Sequence, residues 1–435
     1  MREAPTTPSL QPAQAAQPAP SLLSVLRTHA ARALRNIEFP DTRAEAWKYA
    51  NLRALHTPDW FSDLNDTDTA HTPAPRFPAG QNAGQNVGQN AAQIPSQTAS
   101  QYLSLHDGHV VAQQLDRVVL KQLTHEHALD ELRWRALAAR GADEPFALLN
   151  AASSQAPFCI DIAENIDGGQ LRIAYTTRRE GQFQCATRVG IRLAPGSSLT
   201  LIEEITPTAG LHNAVTDIDI GAGATLRHIR WTHIYGSGMS IARVFVRVAD
   251  NANYTAHQQL GLGAFAREEI DIALQGEGAC AELSGACCVS RRDQVNLLVR
   301  IRHEAPRTRS AANYRGLADD HGRFAFNGRI HILPGAMDVD ASLTNKNLLL
   351  SRDAEIDTKP ELEIYADDVR CSHGATIGQL DATALFYLQS RGIDADAASV
   401  LLRRGFALTA LSSLAGTAEG EVLTQLLLER LEAMA

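Results

Sequence analysis

The sequence predicts a mainly β chain, with a parallel β-helix core between two helical regions. Two patterns in its 435 residues carry that expectation. The first begins near residue 158, where apolar residues alternate with polar or small ones, the period of a strand with one buried face. Val189, Ile191 and Leu193 alternate in this way. So do Ile218 and Ile220; Val244, Val246 and Val248; Ile270, Ile272 and Leu274; Leu297, Val299 and Ile301; Ile330 and Ile332; Leu362 and Ile364. The second pattern is punctuation by turn-formers: Pro195-Gly196-Ser197-Ser198, Gly221-Ala222-Gly223-Ala224, Asp250-Asn251-Ala252, Gly276-Glu277-Gly278-Ala279, Ala305-Pro306 and Pro334-Gly335-Ala336. These recur roughly every 26–30 residues, inside the window of stacked repeats. Each interval holds about two short strands and no helix, which argues against a doubly wound α/β sheet. A pair of β-sandwiches, the structural alternative, would place turns about every 8–12 residues. Stacked coils with inward apolar ladders fit better.

Before the core, residues 1–20 are rich in Pro, Ala and Gln and read as a disordered tail. Residues 21–150 form the N-terminal helical region. Its first helix spans 21–36, with Ser21 as N-cap and Leu22, Val25, Leu26, His29 and Ala33 at helical spacing. A second helical patch holds Trp47, Tyr49 and Leu52, and a third, over 125–150, holds Leu129, Leu132, Trp134 and Leu137. Between them, at about 72–100, lies the repeat Gln81-Asn82-Ala83-Gly84, Gln85-Asn86-Val87-Gly88, Gln89-Asn90-Ala91-Ala92. It has little to bury and reads as a flexible insertion.

The β-helix core is assigned to 151–375 and a C-terminal helical domain to 376–435. Asp381 caps a helix through Leu385, Phe386, Leu388 and Arg391, with Gly392 as its stop. Asp394 caps a second helix carrying Val400, Leu401, Phe406 and Leu408, and a third carries Val422, Leu426, Leu427 and Leu431. This bundle is expected to close the last coil, whose open edges would otherwise invite aggregation.

Composition excludes several classes. Apolar residues make up 44%, enough for a real core, and the formal net charge of −9 argues against nucleic acid as the main partner. No run of 18 apolar residues occurs, so no membrane span is expected. The N-terminus lacks the basic start and apolar run of a secretory signal, which makes the cytoplasm the default location. Six widely spread cysteines are then free thiols, and neighbours Cys287 and Cys288 face opposite sides of a strand. There is no Gly-x-x-x-x-Gly-Lys-Ser/Thr phosphate loop, no Gly-x-Ser-x-Gly elbow and no His-Glu-x-x-His helix.

The densest chemical signal is Val369-Arg370-Cys371-Ser372-His373-Gly374-Ala375-Thr376. On a strand, Cys371 and His373 share one face. A thiolate and an imidazole are half of a soft-metal site; the plain alternative is a packed thiol beside a hydrogen-bonded histidine. Weaker candidates are His125-Glu126-His127 as a chelate, Arg302-His303-Glu304 as a polar patch beside a turn, and Cys280, Cys287 and Cys288 as thiols inside one coil.

Residues 303–406 carry a longer pattern. It comprises Leu343-Thr344-Asn345-Lys346-Asn347-Leu348-Leu349-Leu350-Ser351 and Ala354-Glu355-Ile356-Asp357-Thr358-Lys359-Pro360-Glu361-Leu362-Glu363-Ile364-Tyr365. Asp367-Asp368-Val369-Arg370-Cys371-Ser372-His373-Gly374 and Leu385-Phe386-Tyr387-Leu388-Gln389-Ser390-Arg391-Gly392 complete it. With Glu45-Ala46-Trp47-Lys48-Tyr49, the chain resembles the SufB/SufD family of iron–sulfur cluster assembly proteins. Gly374 after the histidine resembles the SufD branch, since the SufB branch typically has Glu there.

The resemblance implies a right-handed β-helix and a non-catalytic subunit of the SUF assembly complex. It implies pairing with a SufB-like paralogue through the β-helix and docking of the SufC ABC ATPase through the C-terminal helices. ATP is then bound by that partner only, which agrees with the missing phosphate loop. An iron–sulfur cluster is held transiently, shared with the paralogue, with His373 and Cys371 as candidate metal ligands. A homodimer is the other assembly open to such a chain. Two rival functions stand beside this one. A SufB-like scaffold would hold the cluster unaided. A β-helix carbohydrate-active enzyme would use paired acids such as Asp338 and Asp340, although an aromatic content of 6% gives few sugar-stacking surfaces.

Overall fold

The computed structural model describes residues 22–36, 40–41, 43–50, 52, 55, 101–122 and 144–434, with gaps at 155, 178–182 and 262. Its centre is a parallel β-solenoid of two facing sheets. Strands β1 (Gln101–His106), β2 (His109–Gln114) and β3 (Val119–Gln122) begin it. The early coils hold β4 (Phe158–Ile162), β5 (Asp167–Thr176), β6 (Gln184–Leu193), β7 (Ser198–Thr206), β8 (Leu211–Ile220) and β9 (Thr225–His233). Next come β10 (Met239–Val248), β11 (Asn253–Gly261), β12 (Phe265–Leu274), β13 (Cys280–Val289), β14 (Gln294–His303) and β15 (Arg309–Ala318). The last are β16 (Arg323–Ile332), β17 (Val339–Leu349), β18 (Glu355–Ile364) and β19 (Val369–Gly378).

Odd-numbered strands from β5 onward stack into a ten-stranded sheet completed by β1 and β2. The even-numbered ones from β4 build a nine-stranded sheet completed by β3. Each coil gives one strand to each sheet, so side chains of one parity face the lumen. Val189, Ile191, Ile218, Val244, Ile270, Val299, Ile330 and their ladder mates form one continuous apolar core there, as the alternation predicts. The expected N-terminal region is not wholly helical. Residues 101–122 are strands that extend both sheets, and β2 and β3 pair antiparallel with β1 and β4. The isolated apolar pairs in this stretch are too short to reveal a period by themselves.

The turns between the nine-stranded and ten-stranded sheets explain the repeat. Asn165, Gly196, Gly223, Asn251, Gly278, Arg307, Asp338 and Asp368 each take a positive φ, one per coil. Except at Asp368 in the last coil, the N–H of each donates to the coil above, as Gly196 does to Ala222 O (2.9 Å) and Asn251 to Glu277 O (2.8 Å). At Gly196 a Cβ would lie 2.2 Å from Asn165 Oδ1, so glycine is required there by both conformation and space.

Five helices lie among the described residues: α1 (Leu22–Leu34), α2 (Pro145–Ser153), α3 (Ala382–Ser390), α4 (Ala395–Leu408) and α5 (Ala418–Glu432). The predicted helix around Leu129–Leu137 and the Gln/Asn-rich insertion fall outside the described residues. Asp381 and Asp394 cap α3 and α4 through Thr383 N and Ala397 N, and Gly392 ends α3 at φ 87. Trp47, Phe146 and Leu149 pack with Leu211, Ile241 and Phe265 on the outer face of the nine-stranded sheet. There Arg267 lies over the Trp47 ring at 3.7 Å. Leu414, Leu423 and Leu427 pack with Ile229, Trp231 and Cys288 on the outer face of the ten-stranded sheet.

The C-terminal helices therefore do not close the stack. Trp231, Ile202 and Leu317 sit at outward parity and give those helices an apolar face to cover, so they lie along the side of the solenoid. Much of the last coil stays open to solvent, with Ile364, Tyr365 and Ile377 exposed.

Candidate functional site at the last coil

β18 and β19 form the terminal coil. β19 is the edge of the ten-stranded sheet and β18 the edge of the nine-stranded sheet. Cys371 is in register with Ala341, and His373 with Leu343. Ala341 and Leu343 belong to the lumen core, so Cys371 and His373 occupy lumen-facing positions, on the same face as the two-residue spacing requires. Cys371 is half-buried against the core, whereas His373 is exposed because no coil of the described residues lies above it.

Directly beneath is a polar shelf. Asn347 Nδ2 donates to Asn345 Oδ1 (2.6 Å) and to Thr376 O (3.1 Å), and Thr358 Oγ1 donates to Asn345 Oδ1 (2.8 Å). Asn345 is fully buried, and its Nδ2 has no hydrogen-bond partner among the described residues. Such a buried donor is costly unless something satisfies it.

The Cys371 thiol is not preactivated. Burial and the Asp340 carboxylate push it up from its ordinary value, opposed by a hydrogen bond from the Ala341 backbone. It is therefore protonated at neutral pH, and metal binding must displace that proton. No group of three His, Cys, Asp or Glu residues stands together as a metal site among the described residues. Cys371 and His373 supply at most two ligands, so a cluster bound here needs donors from outside the described part of this chain.

The other sequence candidates have different settings. His125-Glu126-His127 lies outside the described residues. His303 is fully buried and hydrogen-bonded to Thr308 Oγ1 (2.7 Å) and Ser310 Oγ (2.9 Å), and burial pulls its pKa down to about 4. Glu304 pairs with Arg302. Cys287 lies in the lumen core and Cys288 under the C-terminal helices, on opposite faces as parity predicts, and burial pushes the Cys288 thiol up to about 12. Asp338 is a corner residue at φ 52, and Asp340 is a solvated partner of Arg370 (3.6 Å).

The lumen also holds a charged network that no sequence motif marks. Arg230 sits between Glu203 and Glu268, with Nε 2.5 Å from Glu268 Oε1 and a close ion pair to Glu203. Glu203 also accepts from Tyr175 (2.8 Å) and meets His228 (2.8 Å), whose other nitrogen faces Tyr254. Burial raises the Glu203 pKa, but Arg230, His228 and Tyr175 together hold it at about 2. Parity was the available signal: Glu203 lies between lumen residues Leu201 and Ile205, and Arg230 follows Leu226 and His228 in the same phase.

Comparison with known proteins agrees with this architecture. The SUF system FeS cluster assembly SufBD core domain matches residues 175–406, and the SufBD protein N-terminal region matches residues 11–79. The chain is similar to the iron-sulfur cluster assembly protein SufD of Escherichia coli, 33% identical over 49% of this chain and 52% of that protein. It is also similar to an iron-sulfur cluster assembly SufBD family protein of Synechocystis, 33% identical over 44% of this chain and 42% of that protein. A SufBD family protein of Staphylococcus saprophyticus is 26% identical over 61% of this chain and 58% of its own length. The matched part spans about half the length of these relatives. With both family regions matched and the solenoid in place, the chain belongs to the SufBD family of iron–sulfur cluster assembly proteins.

Proposed function

We propose that this chain is a non-catalytic SufD-like subunit whose terminal coil pairs with a SufB-like β-helix and contributes His373 to a transient cluster. The observation that carries this reading is the open lumen of the last coil. There two soft donors, Cys371 and His373, meet two unpaired strand edges and the exposed apolar residues Ile364, Tyr365 and Ile377. A second β-helix set end to end would cover those edges and supply the missing ligands. The cluster is cargo, assembled between subunits and passed on. His373, exposed at the lumen mouth, offers an imidazole nitrogen. Cys371 becomes a ligand only after losing its proton, which makes it the secondary donor.

The C-terminal helices are the docking surface for an ABC-type ATPase. Phe386 is 71% and Tyr387 56% exposed on α3, with Leu401 exposed on α4, which is unusual for large apolar side chains. Six free cysteines suit the reducing cytosol. In the reconstituted three-component complex, His373→Ala is expected to abolish cluster formation while the subunits still co-elute. A normal cluster yield from that complex would refute the assignment.

A further inference from the structure

A second concavity lies far from the last coil, on the outer face of the nine-stranded sheet. It encloses about 570 Å³ and is lined by Arg243, Arg247, Arg300, Arg302, Arg329 and His331, with Asp271 as its one carboxylate. The register builds it. Phe245, Asp271, Arg300 and Arg329 form one outward column, and Arg247, Ala273, Arg302 and His331 form the next. Ala273 is short, so the long side chains on either side of it rise as walls around an apolar floor made by Ala273 and Phe245. An adjoining hollow of about 440 Å³ shares Arg247 and Gln275 and adds Arg192.

The arginines are held in place by carboxylates, Asp271 within the groove and the others around it. Asp219 takes Nε and Nη2 of Arg247. Glu304 and Asp271 take Nε and Nη1 of Arg302. Glu269 accepts from Nη2 of Arg300, and Asp271 lies 3.2 Å from its Nε. Glu361 and Glu363 engage Arg329. Fixed this way, Arg247 Nη1, Arg300 Nη1 and Arg302 Nη2 keep N–H groups that these carboxylates do not use. Planar guanidiniums with spare donors are the groups that grip phosphate, and the volume suits a small molecule.

We propose that this groove binds a small phosphate-bearing ligand of nucleoside-diphosphate size. The pyrophosphate group lies across Arg300 and Arg302, and the remainder lies over Ala273 and Phe245. The site is independent of the cluster ligands and of any ATP held by a partner.

The test is calorimetric titration of the purified full chain with inorganic pyrophosphate and, separately, with ADP. Saturable binding is expected, weakening as salt rises. Arg300→Ala/Arg302→Ala is expected to lose at least tenfold in affinity, and Arg370→Ala, an exposed arginine of β19, none. Arg300→Lys/Arg302→Lys keeps the charge but not the planar fork, and is expected to bind several-fold more weakly even if the alanine pair fails to fold. Equal binding of both probes assigns recognition to the phosphates, and tighter ADP binding adds the nucleoside. Absence of binding by both probes at millimolar concentration, or arginine-pair variants that bind as tightly as the unmodified chain, would overturn the proposal.

Discussion

His373 stands in register with Leu343, one coil apart on the same lumen column, yet Leu343 is 1% exposed and His373 is open to solvent. The column changes from core to surface between them because the stack ends there. Leu343→Ala should therefore cost about 2–5 kcal/mol, the range for an apolar truncation in a packed core. His373→Ala should change the isolated chain by less than about 0.5 kcal/mol, as surface substitutions do. Urea denaturation of the two variants measures both.

Arg230 joins two buried carboxylates, Glu203 and Glu268, inside the solenoid. Arg230→Met removes the cation bridging them and should destabilise the chain by about 3–5 kcal/mol. Glu203→Gln/Arg230→Met/Glu268→Gln, which removes the charges together, should recover a large part of that loss. A triple variant as unstable as the single one would show that packing, not charge, dominates there.

Acid should weaken the fold early. Burial holds His212 and His303 at about 4 and His257 at about 3, all below the free imidazole value. The unfolded chain thus takes up these protons first. This contribution to stability is fully present above about pH 6.5 and is lost as pH falls toward 4. These three histidines alone contribute a slope of ~4 kcal/mol per pH unit near pH 5, at ~1.4 kcal/mol per proton, and His233, which burial also pulls down to about 4, adds to it. Denaturation midpoints between pH 7.5 and 5 measure it. His257→Gln should flatten the slope by one proton.

The corner glycines should differ from those of the last coil. Gly196→Ala forces a positive φ on alanine and meets the Asn165 side chain, so a loss of about 1–3 kcal/mol is expected. Gly374→Ala in β19 meets nothing within 4 Å and should be near neutral in the isolated chain. Thermal melts of the two variants distinguish these cases.

Much of the solenoid was legible because its lumen residues obey period two and its corners repeat a positive-φ position. Gly196, Gly223 and Gly278 announce that position, while Arg307 and Asp368 adopt it without any compositional sign. Strands β1 to β3 were not legible, since tertiary pairing rather than local pattern makes them strands. The placement of the C-terminal helices is not legible locally, because Ile229 and Trp231 straddle lumen-facing Arg230 and their outward parity shows only once the phase of β9 is fixed. Spacing alone puts Cys371 and His373 on one face, and the register of β19 with β17 agrees. In the shelf, Asn345 and Asn347 meet within one strand, but the bonds from Thr358 to Asn345 and from Asn347 to Thr376 O join coils 13 or more residues apart, which no local motif encodes.

The most direct test of the end-to-end pairing is hydrogen exchange of the backbone amides of 355–378, measured on this chain alone and after mixing with its SufB-like paralogue. The account predicts fast exchange along the free edges of β18 and β19 alone, and strong protection of both strands in the complex. Unchanged exchange at both strands in a complex that has demonstrably formed would contradict it.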